Sequence, residues 1–186
     1  MQQERLKCYN KWWCSVVVLL AACAAKPPPK VEMPTDVVLL QGQLSASEDV
    51  NPGPDGRAAP VLVRLYELAS DDVFNGADFF TLFDHETAVL GAALLRVRDF
   101  QLVPGQVVEI TGQADPRTQY LGVIAGIRDL DAAPWRAAAP VPPKTVKPSL
   151  PHQVTAQVSV SRQGVSLILA LPPEAAPVVA TPSPQP

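Results

Sequence analysis

Cysteine is scarce in this chain, and where it occurs excludes a good deal. Cys8, Cys14 and Cys23 are the only three among 186 residues. Everything after residue 23 must fold without a disulfide or a thiolate metal site, so a domain there has to bury enough apolar surface by itself. Histidine is rarer still. His85 stands between Asp84 and Glu86, where neighbouring side chains on a helix point in different directions. That run reads as a solvated helix end and not as a metal pair. His152 follows Pro151 and reads as a loop residue at the start of a strand. No Gly-x-Ser-x-Gly elbow and no phosphate-cradling glycine loop is present. No serine is marked as standing beside an oriented base. These absences predict a chain that is not an enzyme and holds no metal or cofactor. The 15 Lys and Arg residues are outnumbered by 18 Asp and Glu and form no basic run. Nucleic acid and anionic lipid surfaces are therefore poor partners.

What is present begins at the N-terminus. Arg5, Lys7 and Lys11 precede the short apolar core Trp12–Ala22, and small residues stand before Cys23. That is the layout of a secretory signal over residues 1–22. As a helix the core would span only ~16 Å, against the ~30 Å of a bilayer interior. Without residues 1–22 the chain keeps 164 residues, with 12 basic and 17 acidic side chains and a net charge of −5. Leu20-Ala21-Ala22-Cys23 resembles the lipobox of bacterial lipoproteins. The resemblance implies cleavage before Cys23, a diacylglycerol on its thiol and an acyl chain on the new N-terminus. Ala24, standing where aspartate would resemble an inner-membrane retention signal, implies the outer membrane. Each buried methylene contributes about 0.8 kcal/mol, and stable anchoring takes more than one chain. Residues 23–35, with Lys26-Pro27-Pro28-Pro29-Lys30 and Pro34, then read as an acylated cysteine followed by a semi-rigid spacer. Residues 173–186 are rich in Pro, Ala and Ser and read as a disordered tail.

Between these flanks, over residues 36–172, the dominant period is two. Val38, Leu40, Leu44 and Ala46 alternate with Gln41, Gln43 and Ser45. Val154, Ala156, Val158 and Val160 alternate with Gln153, Thr155, Gln157 and Ser159, and Val165, Leu167, Leu169 and Leu171 repeat the pattern. Such alternation predicts half-buried strands. Further strands are predicted at 61–68, 94–102, 107–112, 120–128 and 135–141, with Pro104-Gly105 and Asp115-Pro116 among the turns between them. The fold class is therefore all-β, a two-sheet antiparallel sandwich.

Two segments break the pattern. Ser70-Asp71-Asp72 looks like a helix start, and Val73, Phe74, Ala77, Phe80, Leu82 and Phe83 follow at mostly helical spacing. With Gly76 splitting it and Gly91 ending it, this is a small helical insertion at about 70–91. It holds four of the five phenylalanines and is expected to cover part of the sandwich. The other irregularity is the loop 47–59, which reads Ser47, Glu48, Asp49, Val50, Asn51, Pro52, Gly53, Pro54, Asp55, Gly56, Arg57, Ala58 and Ala59. Hairpin loops usually have about two to five residues, so this one is either a binding loop or a tolerated insertion. Arg128, Asp129 and Asp131 are expected to stabilise a turn by an ion pair, and Trp135-Arg136 to make a cation–π contact.

Several segments, taken in order, resemble the outer-membrane lipoproteins of type VI secretion systems, the TssJ (SciN/VasD) family. They are Arg64-Leu65-Tyr66-Glu67-Leu68, Phe74, and Ala77-Asp78-Phe79-Phe80-Thr81-Leu82. Then come Leu90-Gly91, Leu102-Val103-Pro104-Gly105, the run from Leu121-Gly122-Val123 to Leu130-Asp131, and Trp135-Arg136. The resemblance implies a transthyretin-like sandwich with added short helices. It also implies an outer-membrane anchor, a periplasmic domain, and binding to the periplasmic C-terminal region of TssM. The implicated contact is the loop between the first two strands, here Ser47–Arg57 and its flank to Ala59. No motif carries over within that loop residue by residue. A lipoprotein that binds a small ligand or glycan through its sandwich is the alternative.

Overall fold

Eight strands form in chain order: β1 (Val38–Ala46), β2 (Val61–Leu68), β3 (Leu94–Leu102), β4 (Val107–Ala114), β5 (Tyr120–Ala125), β6 (Arg136–Pro140), β7 (His152–Ser161) and β8 (Gly164–Ala170). The structure, a computed structural model, describes residues 37–143 and 152–172. The predicted signal, Cys23, the spacer and the tail lie outside the described residues. The strands pair into two four-stranded sheets, one in the order β4-β1-β7-β8 and the other β3-β2-β5-β6. Alternation decides what each buries. In β1 the residues Val38, Leu40, Leu44 and Ala46 face inward while Gln41 and Gln43 are exposed. Val154, Ala156, Val158 and Val160 do the same in β7. Against them pack Val61, Val63 and Leu65 of β2 and Leu121, Val123 and Ala125 of β5. Full burial of each Val or Leu side chain among them stabilises by roughly 1.5–3 kcal/mol.

The two-sheet sandwich is as the alternation predicts, with one departure. β1 and β7 run parallel, from Val38 opposite His152 to Ala46 opposite Val160, while the other pairs are antiparallel. Five strands separate the two in sequence, so no hairpin turn dictates their relative direction. Alternation is satisfied by either direction. Strand bounds also move, and β6 is one residue shorter at each end than 135–141. β4 runs on to Ala114, and β5 stops at Ala125, where the Gly126 N–H turns to Leu62 O at 2.8 Å. His152 is not a loop residue. It opens β7, is buried, and its backbone N–H donates to Val37 O at 3.2 Å.

The outer face of the β3-β2-β5-β6 sheet carries the helical insertion, α1 (Asp72–Gly76), α2 (Phe79–Leu90) and a 3-10 turn (Gly91–Ala93). Ser70 Oγ accepts from the Asp72 N–H at 3.4 Å, and Asp78 Oδ1 caps α2 through the Thr81 N–H at 3.0 Å. Phe74, Phe79, Leu82 and Leu90 close over Tyr66, Leu68 and Ile124 in a second core. Gly122 makes room for this, since a Cβ there would lie 2.8 Å from the Phe74 ring. Burial pushes the Tyr66 hydroxyl up to about 12, so it stays protonated and donates to Leu82 O at 3.2 Å. Two arginines fasten the cover. Arg136 donates to Phe74 O and Ala77 O, both at 2.7 Å, with its guanidinium 4.7 Å from the Trp135 ring, as the sequence suggests. Arg64 donates to Phe83 O at 2.6 Å and pairs with Asp99 at 3.0 Å. His85 is exposed at a kink inside α2.

One charged group sits among the inward residues of β2. Glu67 is 1% exposed, within 3.4 Å of Arg96 and 3.6 Å of Arg98, and it accepts the Asp115 N–H at 2.9 Å. A buried carboxylate needs such partners. The same two arginines reach Gln113 O and Thr111 O, joining β3 to the edge of β4.

Candidate functional site

The β1–β2 loop has a buried base and an exposed tip. At the base, Ser47 continues the sheet, its N–H donating to Val160 O at 2.9 Å, and its carbonyl accepts from Gly105 at 3.2 Å. Val50 is fully buried, and the Ala59 N–H closes the loop on Val50 O at 3.1 Å. Asn51 is the pivot. It adopts a positive φ of 49°, which asparagine tolerates better than most residues. The residue is 6% exposed, and its side-chain amide is used at both ends. Nδ2 donates to Pro60 O and Oδ1 accepts the Arg128 N–H, each at 2.8 Å. One side chain thus ties the loop to its own exit and to the segment that follows β5.

Beyond Asn51 the chain turns back on itself. The Gly53 N–H donates to Arg57 O at 2.8 Å, and the Gly56 N–H to Gly53 O at 2.9 Å across Pro54 and Asp55. Gly56 has φ 75°. This is the bonding of a three-residue hairpin loop, for which Pro and Gly at these places are suited. Asp55 Oδ1 accepts the Arg57 N–H at 3.2 Å, and the exposed Asp55–Arg57 pair is 3.6 Å apart. The tip is therefore ordered by its own hydrogen bonds.

The site residues expected from the sequence divide accordingly. Glu48, Asp49 and Pro54–Arg57 are exposed, while Ser47, Pro52 and Gly53 are half-buried. Val50 and Asn51 face inward and shape the loop without presenting themselves. Two further segments meet the loop at this end of the sandwich. They are residues 127–133, between β5 and β6, and the Ser161-Arg162 turn between β7 and β8. Together they line a groove of about 620 Å³ with Asn51, Pro52, Gly53 and Pro54 on one wall. Arg128 and Asp129 do not form the ion pair expected of them. The Arg128 backbone is held by Asn51, and Asp129 Oδ1 accepts the Ala132 N–H at 3.1 Å. Sequence reasoning missed Asn51 as a support and Arg162 as a neighbour of the loop. Only the Asn-Pro pair hinted at a special backbone, and nothing local joins residue 51 to 128 or 162.

Among the described residues, no three His, Cys, Asp or Glu side chains gather as a metal site. No described helix is long and apolar enough to cross a membrane. What the fold defines is a rigid β-sandwich scaffold that presents shaped loops at one end. The chain belongs to the family of type VI secretion lipoproteins (VasD, EvfM, TssJ, VC_A0113), whose model matches residues 39–163. It is similar to the crystal structure of the type VI lipoprotein TssJ1 from Pseudomonas aeruginosa, with 32% identity and a TM-score of 0.66, over 74% of this chain and 99% of that one. It is also similar to Lip of Serratia marcescens, described as a membrane bound component of the type VI secretion system. There the identity is 29% and the TM-score 0.64, over 72% and 99% of the two chains. A chain in a structure titled "Type VI membrane complex" matches at 25% identity and a TM-score of 0.57, over 70% of this chain and 97% of that one. No curated protein matches the sequence. The two-sheet sandwich with its helical addition is thus the fold of this family.

Proposed function

We propose that this chain is an outer-membrane lipoprotein of a type VI secretion membrane complex, acylated at Cys23. Its β1–β2 loop, Ser47–Arg57, binds the periplasmic C-terminal region of TssM and so tethers the complex to the outer membrane. The observation that carries this reading is family membership over residues 39–163. The likeness to a chain of a type VI membrane complex supports it. The lipobox-like Leu20–Cys23 supports the anchor, and Ala24 the outer rather than the inner membrane. The acyl chains on Cys23 would supply the attachment that a domain of net charge −5 does not find on an anionic surface. The loop needs no chemistry for this role. A tip held by its own bonds loses little conformational freedom when a partner docks, and that favours affinity.

Two substitutions test the reading. Cys23→Ser should abolish fatty-acid labelling and secretion while the domain still folds; full secretion by the unlabelled variant would overturn the anchor. Deleting Pro52–Asp55 should weaken capture of the TssM periplasmic region with little change in melting temperature. Unchanged affinity would move the contact off the loop.

A further inference from the structure

Eight arginines lie among the described residues, and six have partners for their guanidinium groups. Arg57 and Arg117 pair with nearby aspartates, Arg96 and Arg98 with Glu67, Arg64 with Asp99, and Arg136 with two backbone carbonyls. The remaining two are Arg128 and Arg162. Both are exposed, neither makes an ion pair or a side-chain hydrogen bond with a described residue, and both line the groove at the loop end. The one carboxylate lining that groove, Asp129, is turned to the Ala132 N–H. Resting on the reading that this end meets a protein partner, we propose that the groove takes an extended acidic segment of that partner, with Arg128 and Arg162 binding its carboxylates.

The geometry favours this occupant. A guanidinium presents a planar fork of donors matched to a carboxylate, and the pair is stronger where water is partly excluded. The groove supplies that exclusion. Pro52 and Pro54 form a stiff wall, and Ile127 and Ala133 an apolar lining. Arg128 also leaves the backbone at a point fixed by the bond from its N–H to Asn51 Oδ1 at 2.8 Å, so little order is lost on binding. A lipid headgroup is the less favoured anion. The chain without its signal carries a net charge of −5, which repels an anionic bilayer.

The experiment is a titration of the full lipidated chain in detergent against the purified TssM periplasmic region, at low and at physiological salt. The variants are Arg128→Glu/Arg162→Glu and the milder Arg128→Gln/Arg162→Gln. Loss of a charge pair at an interface weakens binding by about tenfold or more, so the reversed pair should do at least that and flatten the salt dependence. An acidic-to-lysine change in the partner segment should restore binding to Arg128→Glu. If the parent chain binds and both double variants match it in affinity and salt dependence, the groove proposal fails while the loop reading stands. If the parent itself does not bind, both fail. If the variants instead lose only their retention on phosphatidylglycerol vesicles, the anion is a lipid headgroup and the proposal is wrong.

Discussion

The helical cover and the loop end are the two places where this chain departs from strand alternation, and they are built in opposite ways. The cover turns its aromatic residues and its arginines inward. Phe74 and Phe79 seal the second core, and Arg64 and Arg136 donate to the carbonyl oxygens of the segments they hold down. The loop end buries Val50, Asn51 and Ile127 at its base, and it leaves prolines, charges and two guanidinium groups without a partner among the described residues facing water. An irregular segment is therefore not a binding site because it is irregular. The arginines of the cover donate to carbonyl groups within the protein, whereas the guanidinium groups of Arg128 and Arg162 have no such partner among the described residues.

Mutation can sharpen that contrast. Phe74→Ala opens a void over Gly122, and truncating a buried phenylalanine costs about 3–5 kcal/mol. Denaturant titration should show a loss of that size, while the folded variant keeps whatever affinity the parent chain shows for the proposed TssM partner. A cost of under ~1 kcal/mol would mean that the cover is ornamental. Asn51→Ala leaves Pro60 O and the Arg128 N–H without their partner, which should cost about 1–3 kcal/mol. Here melting temperature and partner affinity should fall together, because the same side chain shapes the loop and places Arg128. Loss of stability with full affinity would separate the two roles. Arg57→Ala sits at the other extreme. Its pair with Asp55 is open to solvent, the two side chains being 88% and 61% exposed, and such pairs contribute little. The melting temperature should not move, and a clear drop would show that the tip depends on more than its backbone bonds.

Much of the scaffold was readable in advance. The bounds of β2 and β3 coincide with the predicted 61–68 and 94–102, because alternation ends there at turn-forming residues. The helical insertion was legible from Gly76, Gly91 and the spacing of the phenylalanines. What sequence reasoning could not see were relations between distant residues. The parallel pairing of β1 with β7 leaves no local mark. Glu67, polar at an inward position, looks like an error of pattern until Arg96 and Arg98 arrive from β3. His152, read as a loop residue, is instead buried as the first residue of β7. At the candidate site, the prolines and glycines of the tip announced a turn. The link from Asn51 to Arg128 and the approach of Arg162 depend on the assembled sandwich.

The place of β1 has a mechanical consequence. This strand is hydrogen-bonded on both sides, to β4 from Val38 to Ser45 and to β7 from Val38 to Ala46. The candidate loop begins where β1 ends, roughly 30 Å from its first residue at about 3.3 Å per residue. A tug-of-war between a membrane attachment upstream of residue 38 and a partner gripping the loop would run nearly along the strand axis. The covalent backbone of β1 would then carry the load, and the ladders on either side would hold that strand in register instead of being parted one bond at a time like a zipper.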